Sequence, residues 1–207
     1  MITPDYNLIA QYYDFMAAVV FGNRMELAKR AHLSRIRDKS KILVVGGGTG
    51  KVIEYLADLS GSFRLDYVEP STAMVHRAKK RGKGSMDVMF YKMPILDFKE
   101  DNYDVIITNF FFDQFSERDV KVILSHLKSK LSPEAIFIFS DLISTNNILD
   151  KLLDWVMFFI FRLIAGVKTS TYPPYKKLFT ALGFSSISSI KVGRNIESIT
   201  YSLSLQE

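Results

Sequence analysis

The sequence predicts an α/β fold: a mostly parallel sheet with helices on both faces, in a single domain. Three observations lead there. Short apolar runs of strand length alternate with amphipathic stretches of helix length from about residue 41 onward. The first run, Lys41-Ile42-Leu43-Val44-Val45, passes directly into glycines that open a helix. The second run ends in a carboxylate, Glu69, at the corresponding edge.

The elements follow in order. Residues 6–33 carry Leu8, Tyr12, Phe15, Val19, Leu27 and Ala31 at helical spacing, with Gly22-Asn23 as a candidate break. After the strand at 41–45, Lys51 to Leu59 reads as a helix closed by Ser60-Gly61. Arg64 to Glu69 is a second strand; Pro70 then precedes a helix that Ser71 can cap and that ends near Gly82. A third strand covers about Asp87 to Tyr91 and a fourth Tyr103 to Thr108. A helix from Ser116 to Leu131 and a fifth strand from Ala135 to Ser140 come next. The last third changes character, with a long apolar helix from about Asn147 to Ala165, a Tyr172-Pro173-Pro174-Tyr175 break and a short helix to Leu182. Two strand-like segments, Phe184 to Val192 and Glu197 to Leu205, flank Gly193-Arg194-Asn195, which is the chemistry of an antiparallel hairpin.

Composition bounds the function. With no cysteine, disulfides, thiolate nucleophiles and cysteine-based metal sites are excluded, and the three histidines are too scattered to read as metal ligands. A formal charge of +5 is spread along the chain without a basic run, so nucleic acid is disfavoured as a partner. The start lacks the basic and apolar regions of a signal peptide, which makes the cytoplasm the expected setting.

The most informative stretch is Val45-Gly46-Gly47-Gly48-Thr49-Gly50-Lys51. Small residues after a strand let the backbone turn tightly and approach a ligand at the edge where open α/β sheets bind one. A dinucleotide fingerprint would need glycine where Lys51 stands. A phosphate-binding loop would need glycine at Val45 and Ser or Thr at Val52, so both rivals fail and G-x-G-x-G remains. Glu69, 19 residues after Gly50, can accept hydrogen bonds from two ribose hydroxyls in the same crevice. The alternatives are a tight turn without a ligand, and a carboxylate that favours the helix dipole.

With these residues stated, the segment from about Lys41 to Ser140 resembles the class I (Rossmann-like) S-adenosylmethionine-dependent methyltransferases, in particular the small-molecule and quinone-biosynthesis-like group. The resemblance implies a seven-stranded sheet of order 3-2-1-4-5-7-6 with the last strand antiparallel. It implies a cofactor, S-adenosylmethionine, with its methionine end on Gly46, Gly47, Gly48, Thr49 and Gly50 and its ribose on Glu69. Pro70, Ser71, Met74 and Met93 would border the adenine, and Asn109 and Phe110 would lie near the methyl group. Two positions depart from the family. Val44 stands where an acid commonly anchors the cofactor's amino group, and Lys92 replaces an acid beside the adenine. A further match, Tyr13 followed by Asp14, implies a lid over 1–36 that closes on the cofactor, the alternative being an ordinary amphipathic helix.

Methyl transfer needs mainly alignment, and a base only when the acceptor must lose a tightly held proton. Asn109-Phe110-Phe111-Phe112-Asp113 therefore reads as an apolar acceptor pocket, with Phe111 and Phe112 as walls and Asp113 as candidate base or orienting group. Alternatively Asp113 interacts with the Ser116 helix and the phenylalanines are core. Within 144–182, expected to build the acceptor site, Trp155, Phe158 and Phe159 belong to a helix apolar all round. Its seven-residue run between Asp154 and Arg162 does not span a bilayer, leaving three roles: lining the acceptor site, a homodimer interface, or peripheral membrane contact. The expected function is methylation of a small, hydrophobic or aromatic molecule. The rivals are a catalytically degenerate binding or scaffold protein and, opposed by glycine spacing, a nicotinamide-dependent oxidoreductase.

Overall fold

The computed structural model describes residues 18, 20–145, 147 and 171–204. Its strands are β1 (Lys41–Val45), β2 (Arg64–Val68), β3 (Asp87–Tyr91), β4 (Tyr103–Asn109), β5 (Leu131–Leu142), β6 (Phe184–Val192) and β7 (Ile196–Leu203). They form one sheet in the order β3-β2-β1-β4-β5-β7-β6. The first five strands are parallel, and β7 runs antiparallel between β5 and β6. The order and the antiparallel strand are those the family resemblance implies.

The central strands are apolar at every position because both of their faces are covered. In β1, Ile42 and Val44 join one buried cluster with Val52, Ile53 and Leu56 of α2 (Lys51–Ala57). Leu43 and Val45, on the opposite face, join Ile123, Leu124 and Leu127 of α4 (Glu117–Lys128). The two-residue side-chain period of a strand divides the sequence between these layers. Two further helices, α1 (Arg24–Arg30) and α3 (Thr72–Ala78), lie before β1 and after β2. A fifth, α5 (Tyr175–Ala181), packs on α4 and β6. Phe179 stacks flat on Tyr201 of β7, with ring centroids 4.1 Å apart.

Local chemistry sets several boundaries. Gly22, at φ +59°, breaks the chain just before α1, as the Gly-Asn pair suggested. Ser71 caps α3 by accepting the Met74 N–H at 3.2 Å. Ser116 likewise caps α4, which ends at Lys128, short of the expected Leu131, and the Lys130 carbonyl is taken by the Tyr103 N–H of β4. β5 starts earlier than expected, at Leu131; its ladder with β4 shifts register before Ile136, and Pro133 sits in that irregular stretch. The Gly193-Arg194-Asn195 turn joins β6 and β7 as a hairpin.

This architecture brings the carboxyl ends of β1, β2 and β4 together. Val45 lies opposite both Val68 and Thr108, so the loops after these three strands leave at one level.

Candidate functional site

The loop after β1 turns on three glycines at positive φ: Gly46 (+60°), Gly48 (+60°) and Gly50 (+83°). They serve different ends. A β-carbon at Gly46 would run into the Phe111 ring, and one at Gly47 into the ring of Tyr67. One at Gly50 would stand 2.7 Å from Ala78. Only at Gly48 would it meet open space. Three of these glycines thus let protein pack on protein, and Gly48 turns its face to a cleft.

Glu69 is buried, and its carboxylate binds two segments together. Oε2 accepts the Gly48 N–H at 3.1 Å, and Oε1 accepts the Ser71 N–H at 2.9 Å. Burial raises its pKa above the ordinary carboxylate value, while the two backbone N–H groups pull it back down. Tyr67 reinforces the same corner by donating its hydroxyl to the Gly48 carbonyl at 2.8 Å.

The cleft beside Gly48, about 40 Å³ in volume, is lined by Gly46, Gly47, Thr49, Val44, Asn109 and Phe110, and by Met25 and Lys29 from α1. Asn109 Oδ1 is buried without a hydrogen-bond partner. Phe110 is held at φ +52°, a left-handed conformation that costs a non-glycine residue of the order of 1 kcal/mol or more. Its N–H is fixed by the Ser140 carbonyl at 2.7 Å, and its ring packs with Phe21, Met25 and Leu142. Of the residues expected around the adenine, Pro70 and Met93 are half-buried, while Ser71 and Met74 are buried in the α3 turn. Tyr13, Trp155, Phe158 and Phe159 lie outside the described residues.

Beyond Phe110 the chain makes one 3-10 turn, Phe112–Gln114. Phe111 packs edge-on against Phe112 and Phe115 and is nearly enclosed. Phe112 is fully buried among Phe139, Tyr175 and Phe179, so the direct acceptor contact expected of it is at odds with its enclosure. Asp113 does not cap α4, since Ser116 does. Its pKa is instead pushed up to about 6, chiefly by burial.

A second carboxyl group, missed from the sequence, shares this corner. Asp141, at the end of β5, is fully buried and accepts the Phe112 and Leu142 N–H groups, each at 2.8 Å. Burial and the nearby Asp113 charge together raise its pKa well above the ordinary value. The Tyr175 hydroxyl is buried without a hydrogen-bond partner, and its pKa is raised by burial and by both carboxylates. Two carboxyl groups and a phenol thus share one apolar corner. Nothing local in Ser140-Asp141-Leu142 signals this; the pairing of Asn109 with Ser140 creates it. Among the described residues no cluster of His, Asp and Glu is arranged to hold a metal ion, and no helix is long and apolar enough to cross a membrane.

Residues 42–134 match the family described as a methyltransferase domain. Malonyl-[acyl-carrier protein] O-methyltransferase of Bacillus anthracis is 35% identical over 144 residues, 68% of this chain and 52% of that protein. The chain thus spans about half the length of this curated relative. The structure of the DhpI–SAH complex superposes with a TM-score of 0.69 at 19% identity, covering 97% of this chain and 94% of that one. The 1,6-didemethyltoxoflavin-N1-methyltransferase of Burkholderia thailandensis, bound to 1,6-didemethyltoxoflavin and S-adenosylhomocysteine, gives 0.67 at 15% identity, covering 95% and 85%. At these identities the two superpositions speak for the fold.

Proposed function

We propose that this chain, which belongs to the class I (Rossmann-like) S-adenosylmethionine-dependent methyltransferases, methylates a small, largely apolar molecule bearing one polar group. The observation that carries the reading is Glu69. Its carboxylate joins the end of β2 to Gly48, the one loop glycine open to a cleft, at the edge where such sheets take nucleosides.

The residues fit that cofactor. Each Glu69 oxygen accepts one N–H and keeps a second lone pair for a ribose hydroxyl. Gly46 to Gly50 would hold the methionine end, Pro70, Ser71, Met74 and Met93 would border the adenine, and Tyr13 would close over it. Asn109 and Phe110 would lie near the transferred group. The cofactor, when bound, supplies a methyl group on a sulfonium, a centre that needs alignment more than activation.

On the acceptor side, Phe111 would form the inner wall, with the enclosed Phe112 behind it as packing support and Trp155, Phe158 and Phe159 contributing from the 144–182 segment. Asp113 would receive the acceptor's proton. A pKa of about 6 leaves it mostly ionised at neutral pH yet basic enough to hold a proton. The relative from Bacillus anthracis favours a second reading, in which the acceptor is the carboxylate of a carrier-bound acid. Such an acceptor needs no base, so Asp113→Asn would spare its methylation and abolish that of a hydroxyl acceptor.

Calorimetry with S-adenosylhomocysteine and with NAD tests the central claim. Binding of the homocysteine compound and not of NAD is expected; binding of NAD alone would end it. Transfer of labelled methyl to a panel of isoprenoid, aromatic and malonyl-thioester acceptors separates an enzyme from a scaffold. A preference for soluble polar metabolites would remove the apolar-acceptor reading.

A further inference from the structure

The cleft beside Gly48 has an apolar floor and a charged rim. Val44 gives it no charge from β1, and the charge arrives from two helices instead. Lys29 of α1 and Lys51 at the start of α2 line the cleft. Between them stands Glu26, whose Oε1 pairs with Lys29 at 3.3 Å and with Lys51 at 3.2 Å. All three side chains are sheltered, at 29%, 13% and 25% exposure for Glu26, Lys29 and Lys51. Glu26 Oε2 is buried and has no hydrogen-bond partner. Asn109, which also lines the cleft, has another buried acceptor, Oδ1, with none.

Resting on the reading that S-adenosylmethionine lies along this edge, we propose that Glu26, Lys29 and Lys51 are the clamp for the cofactor's amino-acid end, Glu26 Oε2 taking the α-ammonium and the two lysines flanking the α-carboxylate. A buried acceptor left without a donor is costly, and an ammonium brings three donors. One carboxylate between two ammonium groups matches a zwitterion, which presents both signs within a few bonds. The cleft lies at the Gly46–Thr49 end of the site, and the nucleoside would extend from it toward Glu69. Asn109 offers the ammonium a second acceptor. The absence of an acid at Val44 is thereby met from α1, a segment ahead of the sheet.

The rival role for Glu26 is a staple joining α1 to α2 with no ligand involved. Two ligands separate the roles: S-adenosylhomocysteine, which carries the amino-acid end, and 5′-methylthioadenosine, which lacks it. Calorimetry on the full chain should show Glu26→Gln weakening the first by about 10- to 100-fold, the scale of a charge-assisted hydrogen bond. Affinity for the second should stay within about twofold. Lys51→Met should repeat the pattern, and decarboxylated S-adenosylhomocysteine should be indifferent to it. Retained binding of methylthioadenosine also reports that each variant is folded. Equal losses for both ligands, or none for S-adenosylhomocysteine, would overturn the clamp while leaving the nucleoside site standing. Failure of the unsubstituted protein to bind either compound would remove the nucleoside reading and the clamp with it.

Discussion

A methyl group added at Gly46 would be driven into the Phe111 ring, whereas at Gly48 it would meet nothing. Both residues hold positive φ, so both alanine variants carry backbone strain of about 1 kcal/mol. Gly46→Ala adds overpacking on the order of 1–3 kcal/mol, because Phe111 is held by Phe112 and Phe115 and has nowhere to go. Urea unfolding should therefore rank Gly46→Ala well below Gly48→Ala, and equal midpoints would contradict the packing described. Glu69→Ala removes the acceptor for the Gly48 and Ser71 N–H groups as well as a ligand contact. It should weaken S-adenosylhomocysteine by about 1.5–3 kcal/mol and also lower the unfolding midpoint; unchanged affinity would mean the ribose lies elsewhere. Spacing made Gly46, Gly48, Gly50 and Glu69 visible in the sequence. It could not divide the glycines between protein and ligand, since that depends on Tyr67, Ala78 and Phe111, which the fold brings from other elements.

The ends of β4 and β5 place two carboxyl groups where water is scarce, and pH should act on them first. Asp113 has an ordinary pKa near 3.8 when unfolded and about 6 in the fold. Between those values the folded chain keeps a proton that the unfolded chain has released, so the contribution of Asp113 to stability falls as pH rises from about 4 to 6 and then levels off. The drop from this group is on the order of 3 kcal/mol, and Asp113→Asn should reduce the slope in urea melts taken across that window, leaving the part that the raised Asp141 supplies. A variant with the same slope as the parent would show that Asp113 is not the group responsible. Asp113 drew notice in the sequence through its run of phenylalanines, but Asp141 and Tyr175 did not, being 28 and 62 residues further along the chain. Only the β4–β5 register and the seating of α5 bring them into one corner. That seating depends on Phe179, flat against Tyr201 and edge-on to Phe137 and Phe139. Phe179→Ala should cost about 3–5 kcal/mol in equilibrium unfolding, and a loss under 1 kcal/mol would show the cluster collapsing to fill the space.

At the scale of the molecule, the family match and the sheet do not end at the same place. Residues 42–134 carry β1 to β4, α4 and only the start of β5. The strand alternation legible in the sequence covers the same stretch, because parallel strands joined by helices announce themselves locally. The position of β7 was not a local matter. Its residues alternate like any hairpin strand, and the family resemblance, rather than their pattern, implied that it lies between β5 and β6. Once there, it pairs with β5 from Ile136 to Leu142 and covers the edge of the longest parallel strand. Phe137 and Phe139 lie in that paired stretch, and both are shielded by Phe179 and Tyr201. A chain cut after Leu142 would keep the glycine loop, Glu69 and Asp113, yet it would bare a long apolar edge and uncover Phe137 and Phe139. It should therefore be recovered as aggregate, or lack a cooperative thermal transition when refolded, and should not bind S-adenosylhomocysteine. If the cut chain instead melts cooperatively and binds the ligand, the hairpin is an accessory to the nucleoside site rather than a condition for it, and the covering role assigned to β7 fails.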